Sequence, residues 1–385
     1  MMKKVYRVGV IGSTGKGDYG HGLDTAFMGV EQAEIVALAD DNEPGRQKTA
    51  QRLGIPRQFA DYRQMLAQER LDIVCIGPRW VTDRLAMVQA VAAAGCHIYC
   101  EKPFIADLET FDQCRAACDQ AKIKFQMAHQ WRASPAVQKA IAQLRSGYFG
   151  RLLRMRARPK DDKRGGGEEL LVHGTHWFDL MITLAGGPQW ASGHVMEGDR
   201  DATRTDVRQG SEPVGPVMGD SIVAVFGFAN GVRGYFDSTA STAPNVRKSL
   251  PNEIETPKWD SVYSLMVECE KATVCFRQPG DAYVYPAGGM LPDIAALQWD
   301  KTIIPEWHFT LEHLPRNISR DWLHRGNQTM AADLIQAIEQ NRVPMSPLAN
   351  AGLITEMVQG VYRSHLDGGR RVAIPATDRH HPLLG

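Results

Sequence analysis

The chain carries no net charge, no apolar run of membrane-spanning length and no cysteine spacing that spells a disulfide framework. Lys plus Arg and Asp plus Glu number 44 each, which argues against a basic field for nucleic acid and against an acidic tail. Without an apolar stretch of about 20 residues, no membrane partner is expected. The cysteines number seven, an odd count that fits a reducing cytoplasm. Cys96/Cys100 and Cys114/Cys118 do fall at i,i+4 spacing. Cys100, however, lies on an apolar strand where that spacing cannot converge, so buried inert thiols are expected and no metal site. "MMKKVYRVGV" runs straight into a strand, with neither a long apolar region nor a small-residue cleavage site, and this again points to the cytoplasm. Internal repeats and low-complexity segments are absent. What remains is the composition of a soluble globular protein, 43% hydrophobic and 23% charged over 385 residues, long enough for two domains.

Apolar strand-like runs recur at Val5–Ile11, Ile35–Asp40, Ile73–Ile76, His97–Cys100 and Lys124–Ala128. Helical patterns separate them. "NEPGRQKTAQRLG" has Pro44 early and Gly54 as a stop; "DYRQMLAQ" opens on Asp61 with Gln64 three residues on, a capping-box arrangement; "VTDRLAMVQAVAAAG" closes on Gly95. Strands apolar almost throughout, alternating with helices, imply a parallel sheet covered on both faces. The expectation is a doubly wound domain whose ligand lies beyond the carboxyl ends of the strands.

The stretch "VGVIGSTGKGDYGHGLDTAF" runs a strand into a glycine-dense loop. It fails the nucleotide-triphosphatase pattern, because Lys16 precedes Gly17 and Gly12 is only three residues before Gly15. A G-x-G-x-x-G does occur as Gly15, Gly17 and Gly20, set back from the strand end. The reading is therefore a lengthened dinucleotide loop. Gly12 turns the chain, the amides of Ser13 (with Thr14, Gly17, Gly20 and His21) through Gly22 rim the diphosphate, and a helix starts near His21. Asp40 follows Gly20 by 20 residues, near the usual distance to the acid that binds the adenosine ribose. Asp41 behind it would repel a 2′-phosphate, favouring NAD over NADP. Gly77 and Pro78, in "DIVCIGP", end the next strand on the same side.

"HIYCEKPFIAD" places Lys102 just past a strand's carboxyl end, where a nicotinamide would reach. Pro103 restricts Lys102 to an extended conformation. An ammonium beside a nicotinamide loses its proton more easily and can act as acid or base at a carbinol oxygen.

"CEKPF" behind an alternating β/α half resembles the glucose–fructose oxidoreductase and inositol dehydrogenase family (Gfo/Idh/MocA). So do "AAGCHIYCEKP", "GGGEELLVHGTHWFDLMITLAGGP", "GDSIVAVFGFANGVRGYFDST" and "YRSHLDGGRRVAIP", in that family's order. The resemblance implies an α/β fold, an N-terminal Rossmann dinucleotide-binding domain (residues 1–130) and a C-terminal α/β domain (131–385) for substrate binding and oligomerisation. The second domain would carry a large open, mainly antiparallel sheet, its last segment returning toward the first. Glu101, Lys102 and Pro103 match the EKP motif, so Lys102 takes the role of catalytic lysine; His176 in "GTHWFD" matches the catalytic histidine. One position departs: the aspartate four residues before that histidine is Val172 here. His173 or Glu169 could substitute, with one helical turn separating Glu169 from the histidines. Asp179 shares a helical face with His176. Without the resemblance, His173 and His176 read equally as two polar residues on a partly exposed helix.

"QMAHQWRASP" offers His129, Trp131 and Arg132, either to line a substrate site or to brace the linking helix. In "RLLRMRARPKDDKRGGG", Arg154, Arg156, Arg158 and Lys160 share one strand face, with Leu153, Met155 and Ala157 on the other. The cationic face could select a carboxylate or phosphate, or serve as a solvated face or subunit contact. A helix over 136–146 leads to antiparallel signals; residues 202–220 and 242–258 read as loops; two late helices follow. An apolar open sheet calls for a cover, so a homodimer or homotetramer is expected. Three readings of the function are carried forward. The first is hydride transfer between NAD and a hydroxyl-bearing carbon of a sugar, polyol or sugar derivative. The second is NAD-dependent sugar processing without net redox change, by oxidation and elimination. The third is a non-catalytic dinucleotide-binding regulator.

Overall fold

In the computed structural model, the described residues are 4–160, 162–240, 264–277, 280–286, 300–301 and 322–384; the loop expected over 242–258 lies outside them. Two compact units emerge, one from Met1–Ala133, Glu212–Val214 and Trp307–Gly352, the other from Ser134–Ser211, Gly215–Glu306 and Leu353–Gly385.

The first unit holds β1 (Tyr6–Ile11), β2 (Ala33–Ala39), α1 (Glu43–Leu53), β3 (Arg57–Phe59), α2 (Tyr62–Gln68), β4 (Ile73–Ile76), α3 (Arg84–Ala93), β5 (His97–Cys100), α4 (Leu108–Ala121) and β6 (Phe125–Met127). The strands form one sheet ordered β3-β2-β1-β4-β5-β6, every pair parallel. The order reverses between β1 and β4, the switch point where such sheets open a crevice. Caps set the helix limits. The Asn42 side chain accepts the Gly45 amide, Pro44 sits in the first turn and Gly54 ends α1 at φ 69°; Asp61 caps α2 through the Arg63 amide, in place of the expected capping box with Gln64. Val8, Val10, Leu38 and Cys75 fill one face of the sheet together with Leu334 of the Trp322–Glu339 helix. Val74, Ile76 and Ile98 fill the other with Val88 of α3 and Phe111 of α4.

Two expectations are corrected here. β3 went unrecognised, being three residues long with only Phe59 buried. More consequentially, no α-helix starts near His21: the chain makes a single 3₁₀ turn, Leu23–Thr25, entered through Gly22 at φ 80°. Gly29 at φ 78° turns the chain again before a helix could build. The Trp322–Glu339 helix packs there instead, with His324 Nδ1 3.2 Å from Thr25 Oγ1.

The second unit is built on a ten-stranded sheet. Its central run orders Asp281–Pro286, Ala272–Arg277, Ser264–Cys269, Leu152–Arg158, Arg233–Thr239, Ser221–Gly227 and Trp190–Glu197. All neighbours in this run are antiparallel except Leu152–Arg158 with Arg233–Thr239. The Gly174–Ala185 helix covers one face, seating Phe178 against Phe226 and Phe236. The region 202–220 is not simply loop: Arg208–Gln209 pairs with Pro216–Val217.

Candidate functional site

The glycine loop folds onto itself. The Ser13 and Asp18 backbones bridge, the Gly15 amide donates to Asp18 Oδ1 at 2.9 Å, and the Tyr19 ring lies where a Cβ on Gly12 would be. Burial raises the Tyr19 phenol pKa far above its ordinary value, with the Asp40 charge adding to it. Asp40, at the end of β2, is itself buried. Its carboxylate accepts the Thr14 amide at 3.0 Å, the Thr14 hydroxyl at 2.6 Å and the Asn42 amide at 2.9 Å. Asp40 thus ties β2 to the glycine loop. Asp41 faces outward, accepts Ser13 Oγ at 2.8 Å and pairs with Lys16 at 2.7 Å. The Lys16 hydrogen bond lowers the Asp41 pKa.

Beyond the carboxyl ends of β1 and β2 opens a cavity of about 290 Å³ whose lining includes Gly12, Ser13, Asp40, Asp41, Tyr62 and Met87. Its size is that of a small-molecule pocket. An apolar floor, an aromatic ring and an acid at the rim are the chemistry an adenosine moiety requires.

Across the switch point, Gly77 lies so close to β1 that a Cβ there would meet the Ile11 carbonyl at 2.9 Å. Glu101, fully buried, accepts the His21 amide at 2.6 Å and the Lys102 amide at 2.9 Å, and its Oε1 lies 3.1 Å from His21 Nδ1. Burial raises its pKa, but the His21 charge and hydrogen bonds with the Lys102 charge outweigh that and hold it at about 2. Lys102 is buried at the end of β5, 4% exposed, and its peptide to Pro103 is cis. Beneath both loops lies Arg84, 0% exposed, donating to the Pro78 carbonyl at 2.5 Å, the Glu101 carbonyl at 2.8 Å and Cys100 Sγ at 2.6 Å. Nothing in the sequence singled Arg84 out; an arginine opening an alanine-rich helix reads as exposed. Tyr19, Tyr62 and Arg79 were likewise missed.

His129, Trp131 and Arg132 are all buried in the same unit. His129 Nδ1 lies 2.9 Å from Ser346 Oγ, and Trp131 packs on Trp322 with ring centroids 6.2 Å apart.

In the second unit, His176 is buried on the Gly174–Ala185 helix together with Asp179. Glu169 stands on a separate helix, Gly167–Val172, the chain breaking at His173. Glu169 still lies one helical turn before His173, whose amide donates to the Glu169 carbonyl at 3.2 Å. The Glu169 carboxylate, 0% exposed, reaches His173 Nδ1 at 2.6 Å and also accepts the Lys160 amide at 3.0 Å. Arg154, Arg156 and Arg158 share the exposed face of their strand while Met155 and Ala157 are buried. Leu153 departs from the alternation at 41% exposed. Glu268 on the neighbouring strand pairs with Arg154 at 2.5 Å and Arg156 at 3.3 Å, so part of the cationic face is already neutralised. The seven cysteines are free and buried.

Residues 6–129 match the family described as "Oxidoreductase family, NAD-binding Rossmann fold". Among curated relatives, D-apiose dehydrogenase of Paraburkholderia graminis is 34% identical over 125 residues, 32% of this chain and 33% of the relative. Levoglucosan dehydrogenase of Pseudarthrobacter phenanthrenivorans is 28% identical over 231 residues, 52% of this chain and 58% of the relative. The matches thus span between a third and three fifths of these proteins. The fold likeness is longer: a levoglucosan dehydrogenase solved with NADH and levoglucosan superposes with a TM-score of 0.72 at 18% identity, covering 97% of this chain and 100% of that one.

Proposed function

We propose that the protein is an NAD-dependent oxidoreductase that moves a hydride between nicotinamide and a hydroxyl-bearing carbon of a sugar, polyol or sugar derivative. The observation that carries the reading is the joint anchoring of two elements. Glu101 holds the glycine loop through His21 and presents Lys102 from the next residue, and Gly12 and Ser13 of the same loop line a cavity with Asp41 at its rim. The relatives' names as apiose and levoglucosan dehydrogenases support a carbohydrate substrate.

Gly12, Ser13 and Asp41 would receive the adenosine end of NAD, with Gly17, Gly77 and Pro78 beside its diphosphate; when bound, the nicotinamide supplies the hydride acceptor. Asp41, next to an already buried Asp40, disfavours a 2′-phosphate by charge. Lys102, at a strand end and desolvated, is assigned to hold or take the hydroxyl proton, and His176 is assigned to the reacting oxygen. With Val172 unable to carry a proton, His173 oriented by Glu169 is assigned the part of the missing aspartate; a buried carboxylate that fixes one ring nitrogen fixes the tautomer at the other. Arg158 is assigned to substrate recognition.

On the same reading, residues 1–130 form the cofactor domain and 131–385 the substrate and oligomerisation domain. Buried free thiols support a cytoplasmic setting, and no described helix is long and apolar enough to cross a membrane. Val223, half exposed on the open sheet, supports a homodimer or homotetramer packed through that face.

The test is calorimetric binding of NADH and NADPH, then a panel of sugars and polyols screened for NADH formation. NADH binding with turnover that falls at least a hundredfold in Lys102→Ala is expected. Turnover within a few-fold of the parent would remove Lys102 from its role, and product without net NADH would favour the redox-neutral chemistry.

A further inference from the structure

This inference rests on the dinucleotide reading and concerns which group meets the diphosphate. In doubly wound domains the diphosphate charge is ordinarily met by glycine-loop amides and by the N-terminus of the helix that follows. Here the loop leads into a three-residue 3₁₀ turn, so no such helix stands behind it. Most of the loop's amides are also engaged. Ser13, Lys16, Asp18 and Gly20 donate to backbone carbonyls of the loop itself. Thr14 donates to Asp40, Gly15 to Asp18 and His21 to Glu101.

The amides of Gly17 and Tyr19 make no hydrogen bond among the described residues, and Arg79 stands beside them. The Arg79 amide donates to the Gly17 carbonyl at 3.2 Å, and a Cβ on Gly17 would fall onto the Arg79 and Trp80 amides. The Arg79 guanidinium forms a fork on the Glu212 carboxylate, with Nε 3.2 Å and 3.3 Å from its two oxygens and Nη2 3.0 Å from Oε1. Both side chains are partly exposed, at 27% and 29%. Glu212 comes from the short segment Glu212–Val214 of the same unit, docked through the Val81 amide to the Pro213 carbonyl at 3.1 Å. Lys16, a second cation of the loop, is held by Asp41 at the rim of the cavity, and Arg84 is engaged by the Pro78 and Glu101 carbonyls.

A guanidinium fork fits two phosphate oxygens as well as two carboxylate oxygens. We propose that Arg79, with the Gly17 and Tyr19 amides, is the diphosphate-binding group. Glu212 is its internal counter-ion: it occupies the guanidinium until a dinucleotide arrives and then gives way. Uptake of the cofactor is then an exchange of one anion for another, and it weakens with rising salt.

The experiment titrates adenosine, ADP and NADH into the full-length chain and into Arg79→Gln and Glu212→Gln. In Arg79→Gln, affinity for ADP and NADH is expected to fall about tenfold while adenosine binds as before. Glu212→Gln, which keeps Arg79 and releases it, should bind ADP several-fold more tightly. ADP binding that Arg79→Gln leaves unchanged, or a parallel loss of adenosine and ADP, overturns the assignment. ADP binding that is unchanged or weaker in Glu212→Gln overturns the counter-ion role. A parent protein that binds NADH normally while either variant fails in these ways sinks this inference alone. A folded parent that binds neither ADP nor NADH sinks the dinucleotide reading, and this inference with it.

Discussion

Glu101 accepts the His21 backbone amide at 2.6 Å from a position 80 residues away in sequence. That bond joins the glycine loop after β1 to the residue immediately before Lys102. Its second oxygen takes the Lys102 amide at 2.9 Å, so one buried carboxylate sets the backbone on both sides of the switch point. A carboxylate with no exposure remains charged only because these donors and His21 surround it.

The Glu101 pKa, held at about 2 against an ordinary 4.5, makes its contribution to stability depend on pH. A depressed carboxyl stabilises the fold fully above its unfolded value and loses that contribution as pH falls through the folded one. The shift corresponds to roughly 3 kcal/mol. Glu101→Gln should therefore unfold more easily than the parent by a constant margin above pH 5, with the margin shrinking from pH 4.5 toward pH 2. Urea unfolding across that range checks it. A margin that does not change with pH would show that shape, not charge, is what Glu101 supplies.

Gly20 and Gly15 separate two costs. Both have positive φ, 62° and 84°, which a side chain tolerates at about 1–2 kcal/mol. A Cβ on Gly15 meets nothing, whereas one on Gly20 would fall on the Glu101 carboxylate and the Gly77 carbonyl. Gly15→Ala should lower stability by only that backbone cost. Gly20→Ala should lose more than twice as much, and NADH binding with it. Equal melting temperatures for the two variants would contradict the close approach at Gly20.

How far this architecture was legible depended on the range of the interactions involved. The alternation of buried strands and capped helices is local, and Pro44, Gly54 and Asp61 mark their ends as written. Glycine spacing identified a ligand loop, but it could not show that the loop's donors would be engaged by Asp18, Asp40 and Glu101. Asp18 is three residues from Gly15, but Asp40 and Glu101 are brought to the loop by packing between strands. The helix expected at His21 failed because Gly22 and Gly29 take positive φ, and a helix from 300 residues later fills the space. Asp40 illustrates the limit best. Its distance from Gly20 suggests a ribose ligand, yet its oxygens are occupied by Thr14 and Asn42. Asp41, one residue on, is the acid facing outward.

Arg84 carries a stability prediction that no sequence pattern suggested. Its guanidinium is fully buried and answered by the Pro78 and Glu101 carbonyls and the Cys100 thiol. Arg84→Met fills much of the volume but leaves the Pro78 carbonyl without its guanidinium donor and the Glu101 carbonyl with only the weak Cys100 thiol at 3.5 Å, each loss costing about 1–3 kcal/mol. A loss of about 3–5 kcal/mol in urea unfolding is expected, with Arg84→Lys recovering part of it. A Met variant as stable as the parent would mean that water satisfies those carbonyls.

On the dinucleotide reading, Asp41 is expected to decide between NADH and NADPH. It lines the adenosine cavity and holds Lys16 at 2.7 Å. Replacing it with serine removes one negative charge and releases a positive one at the same rim. Both changes favour a 2′-phosphate, which carries close to two negative charges at neutral pH. Asp41→Ser should therefore bind NADPH at least tenfold more tightly than the parent while its affinity for NADH falls, and high salt should erase most of the gain. Asp40→Ser should act differently, since Asp40 ties Thr14 to Asn42: it should weaken both dinucleotides and lower the melting temperature. If Asp40→Ser alone shifts the NADPH-to-NADH ratio while Asp41→Ser leaves it unchanged, the inner carboxylate is the one that reads the ribose.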